Sequence, residues 1–190
     1  MKNTEEISKY LNIHRDIFLK VDLESILSAI ELIKIKVQEE KKIITMGNGG
    51  SAHTASHYIT DWNKMSFIEN GLKIRGFCLA DNIGLLTAYA NDLSFDEVFS
   101  GQLKSIMDNG DLVICVSGSG NSKNIISALE YANQNNATTL AILGYDGGKA
   151  IKIAHHSILV PSFDMQICED IHLSIGHLIM KSLCNIGITE

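Results

Sequence analysis

Four side chains in this sequence have the types and the spacing of a metal centre. His57 and Asp61 are four residues apart in a stretch of helical pattern, so they share a face and can reach one ion. Glu169 and His177 lie eight apart on a later stretch, with His172 between them. At about 100° per residue they stand about 80° apart around a helix axis, and both can face one cleft. Two imidazoles and two carboxylates suit a divalent transition metal such as zinc, with a position open for a substrate oxygen. The same residues have a plainer reading: Glu169 and Asp170 also fit partners of a helix dipole, and Asp61 a solvated helix residue. His14, His53, His155 and His156 have no such spacing and read as structural or surface residues.

Two glycine- and serine-rich stretches suggest a second kind of chemistry. Gly47-Asn48-Gly49-Gly50-Ser51 and Ser117-Gly118-Ser119-Gly120-Asn121-Ser122 each follow a short apolar run and each open onto a helical pattern. Glycines let backbone N–H groups approach an oxyanion, serines add hydroxyl donors, and a helix N-terminus adds unpaired amides and a favourable dipole. One such loop is common in βα turns that bind nothing. Two of them, both carrying serine, point to a phosphorylated ligand.

The bulk composition narrows what that ligand is attached to. The chain has 190 residues, 45% of them hydrophobic, enough for one domain with a core of its own. A net charge of −6 without a basic stripe argues against nucleic acid and anionic membrane as partners. Cys78, Cys115, Cys168 and Cys184 sit among apolar residues without metal-finger or redox spacing and read as reduced core thiols of a cytoplasmic protein. No apolar stretch reaches the roughly 18 residues of a membrane span, and none has the form of a secretory leader.

The elements that must position these residues follow from periodicity. Residues 4–40 repeat apolar side chains mostly at three and four, with Asp22 placed to cap a second helix. Beyond Lys41, strands are expected near 42–46, 73–79, 111–116, 138–143 and 156–160. Helices are expected near 51–64, 83–90, 93–107, 122–134, 147–154 and 165–187. This alternation predicts an α/β fold of three α/β/α layers, flavodoxin-like, with a five-stranded parallel sheet and an N-terminal helical extension. The expected organisation is one domain over 1–190, with 1–40 as a helical pair used in oligomerisation, because Leu32 and Ile35 lie off the main stripe of the second helix.

Read together, the first loop through His57, the pair Asn91-Asp92, the second loop, Asp146-Gly147-Gly148-Lys149, and Glu169-Asp170-Ile171-His172 with His177 resemble the sugar-isomerase (SIS) domain, and within it the phosphoheptose isomerases. The resemblance covers nearly the whole chain, with the motifs in the family's order. It implies isomerisation of sedoheptulose 7-phosphate to D-glycero-D-manno-heptose 7-phosphate for surface-glycan precursors, a homotetramer and one zinc ion per subunit. It places Asn48, Gly49, Gly50 and Ser51 beside the substrate, Asn91 and Asp92 on its hydroxyls, and Ser117, Gly118, Ser119 and Ser122 around the phosphate. His57, Asp61, Glu169 and His177 become the metal ligands, with Glu169 also touching substrate. Asp61 becomes the catalytic base and His177 its acid/base partner.

Three positions depart from the family's pattern. Asp61 stands where the family usually has glutamate, Glu169 where it has glutamine, and Gly118 where it has threonine; the segment Asp61-Trp62-Asn63-Lys64-Met65 also lacks the family's arginine and tyrosine. Asp61 is one methylene shorter at a position where about 1 Å matters to catalysis. Two alternatives therefore stand beside the leading reading: an isomerase of another sugar phosphate, and a non-catalytic SIS-domain adaptor. The presence of His57, Asp61 and His177 argues against the adaptor, whose known relatives lack them.

Overall fold

The computed structural model of the chain describes residues 2–187, so the outermost ends of the expected 1–190 domain lie outside the described residues. Among these residues the helices are α1 (Lys2–Phe18), α2 (Leu23–Gln38), α3 (Gly50–Asn70), α4 (Ile83–Asp92), α5 (Ser100–Ile106), α6 (Lys123–Gln134), α7 (Ala150–Ile153) and α8 (Met165–Cys184). The strands are β1 (Lys42–Gly47), β2 (Arg75–Cys78), β3 (Leu112–Ser117), β4 (Thr138–Leu143) and β5 (His156–Leu159). They form one all-parallel sheet in the order β2-β1-β3-β4-β5, with Ile44 opposite Val113 and Ile114 opposite Leu140.

A parallel sheet has both faces covered, and the alternation of side chains along each strand sends them to two cores. Ile43, Ile114 and Ile142 pack with Ile33 of α2, Trp62 of α3 and Ile175 of α8. Their neighbours Ile44, Val113 and Ala141 pack on the other face with Leu103 of α5 and Leu129 of α6. Each large side chain so buried contributes about 1.5–3 kcal/mol before the entropy of ordering is counted. Since α3 follows β1 to one face and α6 follows β3 to the other, the chain diverges between two adjacent strands. That divergence opens a crevice at their carboxyl ends, where ligands of such sheets bind.

Asp22 caps α2 as expected, accepting hydrogen bonds from the Glu24 and Ser25 amides at 3.2 and 3.3 Å. Four helix boundaries differ from the sequence expectation by three residues or more, each for a local reason. The helix expected over 93–107 is broken: Ser94 is fully extended, a short 3-10 turn spans Phe95–Glu97, and only Ser100–Ile106 is α-helical. The break turns Val98 and Phe99 into the core. α3 runs on to Asn70, where Gly71 at φ +70° takes the left-handed conformation that ends it. Gly147 and Gly148, at φ +82° and +55°, cannot join a helix, so α7 begins at Ala150 rather than 147. Asn185, at φ +55°, stops α8 at Cys184.

Candidate functional site

The first loop leaves β1 and becomes α3 through Gly49, whose backbone at φ +55° favours glycine. Gly50 opens the helix, so the first amides of α3 face the crevice without intrahelical partners. The second loop leaves β3 and is held by its own side chains. Ser117 Oγ accepts from the Gly120 amide at 3.1 Å, and Ser119 Oγ from the Asn121 amide at 3.3 Å. Asn121 Oδ1 in turn accepts from the Lys149 amide at 3.1 Å, bracing the loop against the Asp146–Lys149 turn. Ser122 occupies the N-cap position of α6 but makes no capping hydrogen bond, which leaves its hydroxyl for a ligand.

Between the two loops lies a hollow of about 120 Å³ lined by Asn48, Ser51, Ser117, Ser119, Ser122 and Glu169, with Val116, Gly118 and Met165 completing its wall. Its small size and hydroxyl-bearing wall suit a phosphate group. The loops are locked together by a reciprocal carboxamide pair: Asn48 and Asn124 each donate Nδ2 to the other's Oδ1 at 2.9 Å. Asn124 Oδ1 also accepts from the Ile125 amide at 2.9 Å, and the residue is 1% exposed. Nothing in the sequence distinguishes Asn124 from the polar residues around it; its role comes only from the crossing of α6 beside β1. On the far side of the first loop a cavity of about 480 Å³ opens between His53, Asp81, Ile83 and Phe95. His53 Nδ1 lies 3.1 Å from the Gly49 carbonyl, which requires the proton on that nitrogen.

Three of the four expected ligands come together where α3 and α8 pack. His57 Nε2 is 3.0 Å from His177 Nε2, and Asp61 Oδ2 is 3.3 Å from the first and 3.6 Å from the second. Each side chain is partly open, at 43, 20 and 44% exposure for His57, Asp61 and His177. Two neutral imidazoles facing each other through the same nitrogen allow only one to carry a proton there. A cation at the centre would instead take both lone pairs and a carboxylate oxygen, the donor set of a catalytic zinc site with an open position.

The packing beneath fixes this geometry. Trp62 Nε1 donates to the Gly176 carbonyl at 3.1 Å, the Tyr58 hydroxyl donates to the His172 carbonyl, and the two rings stack at 5.1 Å. A side chain at Gly176 would stand inside the Tyr58 ring, so the glycine before His177 sets how closely the helices approach.

Glu169 is not part of the three-residue group. Its carboxylate rests where a Cβ on Gly50 would point, over the start of α3 and on the wall of the phosphate-sized hollow. His172 turns into the core: it is 0% exposed, and neither ring nitrogen has a hydrogen-bond partner. Burial pushes its pKa down to about 4. Asn91 and Asp92 sit exposed at the end of α4, with Asn91 Nδ2 donating to Asp92 Oδ1 at 2.9 Å, and line neither cavity of the crevice. His155 has a structural role, its Nδ1 accepting from the Thr139 amide at 3.1 Å.

Comparison with known proteins agrees with this architecture. The SIS domain family matches residues 9–144. The phosphoheptose isomerase of Geobacter sp. (strain M21) is 34% identical over 178 residues, 92% of each chain. That of Aquifex aeolicus is 32% identical over 164 residues, 86% of this chain and 85% of its own. Among solved structures, a phosphoheptose isomerase from Neisseria gonorrhoeae superposes with a TM-score of 0.87 at 27% identity, over 95% of this chain and 97% of that one. One from Francisella tularensis shares the fold with a TM-score of 0.91 at 21% identity, over 97% and 100% of the two chains. The chain belongs to the phosphoheptose isomerases of the SIS domain family.

Proposed function

We propose that this chain is a phosphoheptose isomerase, interconverting sedoheptulose 7-phosphate and D-glycero-D-manno-heptose 7-phosphate for surface-glycan precursors. The observation that carries the proposal is the convergence of His57, Asp61 and His177 beside a crevice that also holds a serine-lined hollow of phosphate size. The hollow and the two helix N-termini anchor the phosphate, with Ser117, Gly118, Ser119 and Ser122 around it and Asn48, Gly49, Gly50 and Ser51 beside the substrate. The reacting C1 and C2 then lie at the three-residue group.

The Asp61 carboxylate takes a proton from C1 of the ketose, and the C1–H electrons form the C1=C2 bond of a cis-enediolate. Returning that proton to C2 gives the aldose, while His177 carries a proton between the oxygens of C1 and C2. The 3.6 Å between Asp61 Oδ2 and His177 Nε2 allows both to reach neighbouring atoms of one substrate. His57, Asp61 and His177 would hold a zinc ion, which would supply a Lewis acid for the negative charge on oxygen, with Asp61 and His177 released from it at the steps in which they carry protons. Glu169, at the hollow, is in place to accept from a substrate hydroxyl and to complete the ligand set if its side chain swings toward the ion. Exposed Leu19, just past α1, and Leu23, Leu27 and Ile35 on α2 support self-association to a homotetramer. Among the described residues no helix is long and apolar enough to cross a membrane.

The test is incubation of the purified protein with sedoheptulose 7-phosphate in D₂O, with and without zinc. Deuterium at C2 of a new aldose phosphate is expected, and Asp61→Asn should abolish it while sparing phosphate binding. Absence of product and of exchange in both conditions would refute the assignment. The shorter Asp61 favours a different sugar phosphate as the next substrate to try.

A further inference from the structure

Glu169 is the one charged side chain on the wall of the phosphate-sized hollow: its eight companions there are neutral, and no lysine or arginine is among them. Its carboxylate lies against the first residue of α3. A Cβ on Gly50 would come within 2.8 Å of Glu169 Oε2 and closer still to Oε1, so the carboxylate fills the place that this helical glycine leaves open. Among the described residues no lysine, arginine or histidine pairs with it. What faces it instead is the start of a 21-residue helix, whose first amides and dipole carry partial positive charge.

A phosphate brought into the hollow seeks the same helix end. It carries about 1.5 to 2 negative charges at neutral pH, and inside about 120 Å³ it cannot stand a screening length of roughly 8 Å from the carboxylate. Two anions then compete for one helix N-terminus, and Asp61 adds a further negative charge at the three-residue group. A divalent cation held by His57, Asp61 and His177 would supply the two positive charges that balance Asp61 and Glu169. The Glu169 carboxylate, at the end of a flexible side chain and without an ion-pair partner, is free to turn toward such a cation. A glutamine at this position would have the same shape and no charge to respond with.

We propose that Glu169 makes phosphate binding conditional on the metal ion. Without a cation at His57, Asp61 and His177 its carboxylate holds the start of α3 against a phosphate; with a divalent cation there it turns to the cation and leaves the α3 amides to the ligand. This rests on the reading of the hollow as the phosphate site and of the three-residue group as the metal site. Linkage requires the two effects to be equal: the factor by which zinc tightens phosphate is the factor by which phosphate tightens zinc. The experiment is calorimetric titration of the purified full chain with inorganic phosphate, metal-free and after zinc loading with unbound zinc removed. Competition with a chromogenic chelator, with and without phosphate, measures the reciprocal effect. In wild type zinc should raise phosphate affinity at least about tenfold, within the usual range of such couplings, and phosphate should raise zinc affinity by the same factor. Glu169→Gln should bind phosphate about tenfold more tightly than wild type when both are metal-free, and its response to zinc should fall below about threefold. Glu169→Asp keeps the charge and should keep the dependence on zinc, with melting temperatures reporting the fold of each variant. Equal metal-free affinities in wild type and Glu169→Gln, or the same zinc effect in both, would overturn the proposal. Absence of phosphate binding in every form, zinc-loaded included, would overturn the phosphate site, and absence of zinc binding the metal site. Either result is distinct from phosphate and zinc that both bind without coupling.

Discussion

Acidification should destabilise this protein through His172 by an amount that the structure lets us work out. In the unfolded chain this imidazole takes up a proton near its ordinary 6.5; in the folded chain burial holds it down to about 4. Between those values the unfolded state binds more protons than the folded one, so stability falls as the pH drops through this window. Above 6.5 neither state is charged and the full stability is present; below about 4 both are charged and the loss is complete. At about 1.36 kcal/mol per pH unit, the interval amounts to roughly 3 kcal/mol in all, and about 2 kcal/mol by pH 5. The assay is urea unfolding of wild type and His172→Leu between pH 7 and 5. Leucine removes the titration together with two unpartnered buried nitrogens, and the variant should lose about 2 kcal/mol less than wild type over that range. Parallel stability curves for the two proteins would refute the reasoning.

Three further outcomes follow from the site. His57→Ala and His177→Ala should each lower zinc affinity by more than about 100-fold, beyond the loss of an outer-shell partner, as read by competition with a chromogenic chelator. Asn124→Leu leaves Asn48 without either carboxamide partner; it should cost about 2 kcal/mol in urea unfolding and weaken inorganic phosphate binding in a titration. Gly176→Ala forces the Tyr58 ring away from α8 and should destabilise by about 1–3 kcal/mol while lowering zinc affinity, since the His57–His177 approach depends on that contact.

The strands and both loops were legible because their signals are local. Runs such as Leu112–Val116 contain the β-branched residues of a strand buried on both faces, and glycine and serine follow immediately. Periodicity predicts α3 six residues short because the helix lies between sheet and α8, and its apolar residues Ala55, Tyr58, Ile59 and Trp62 are interrupted by polar ones that also face inward, such as Ser66. Ser94 broke an apolar periodicity that, taken alone, describes one helix over 93–107. At the site, spacing along one helix located His57 with Asp61, because four residues make one turn. Spacing did not separate Glu169 from His177. The 80° between them, compatible with a shared cleft, instead leaves one over Gly50 and the other against His57, a difference set by where α3 crosses α8. Asn124 was invisible for the same reason: its partner Asn48 is 76 positions away.

The two loops hang from β1 and β3, and each of these strands is paired on both sides, β1 between β2 and β3, β3 between β1 and β4. Local fraying of a parallel sheet begins at its edges, here the four-residue strands β2 and β5. The crevice is therefore suspended from the part of the molecule that opens last. Backbone amides of Ile44, Thr45, Ile114 and Cys115 should exchange with solvent only when the whole sheet comes apart, on the slowest timescale the protein has, while the ligand crevice beyond them stays open to the substrate.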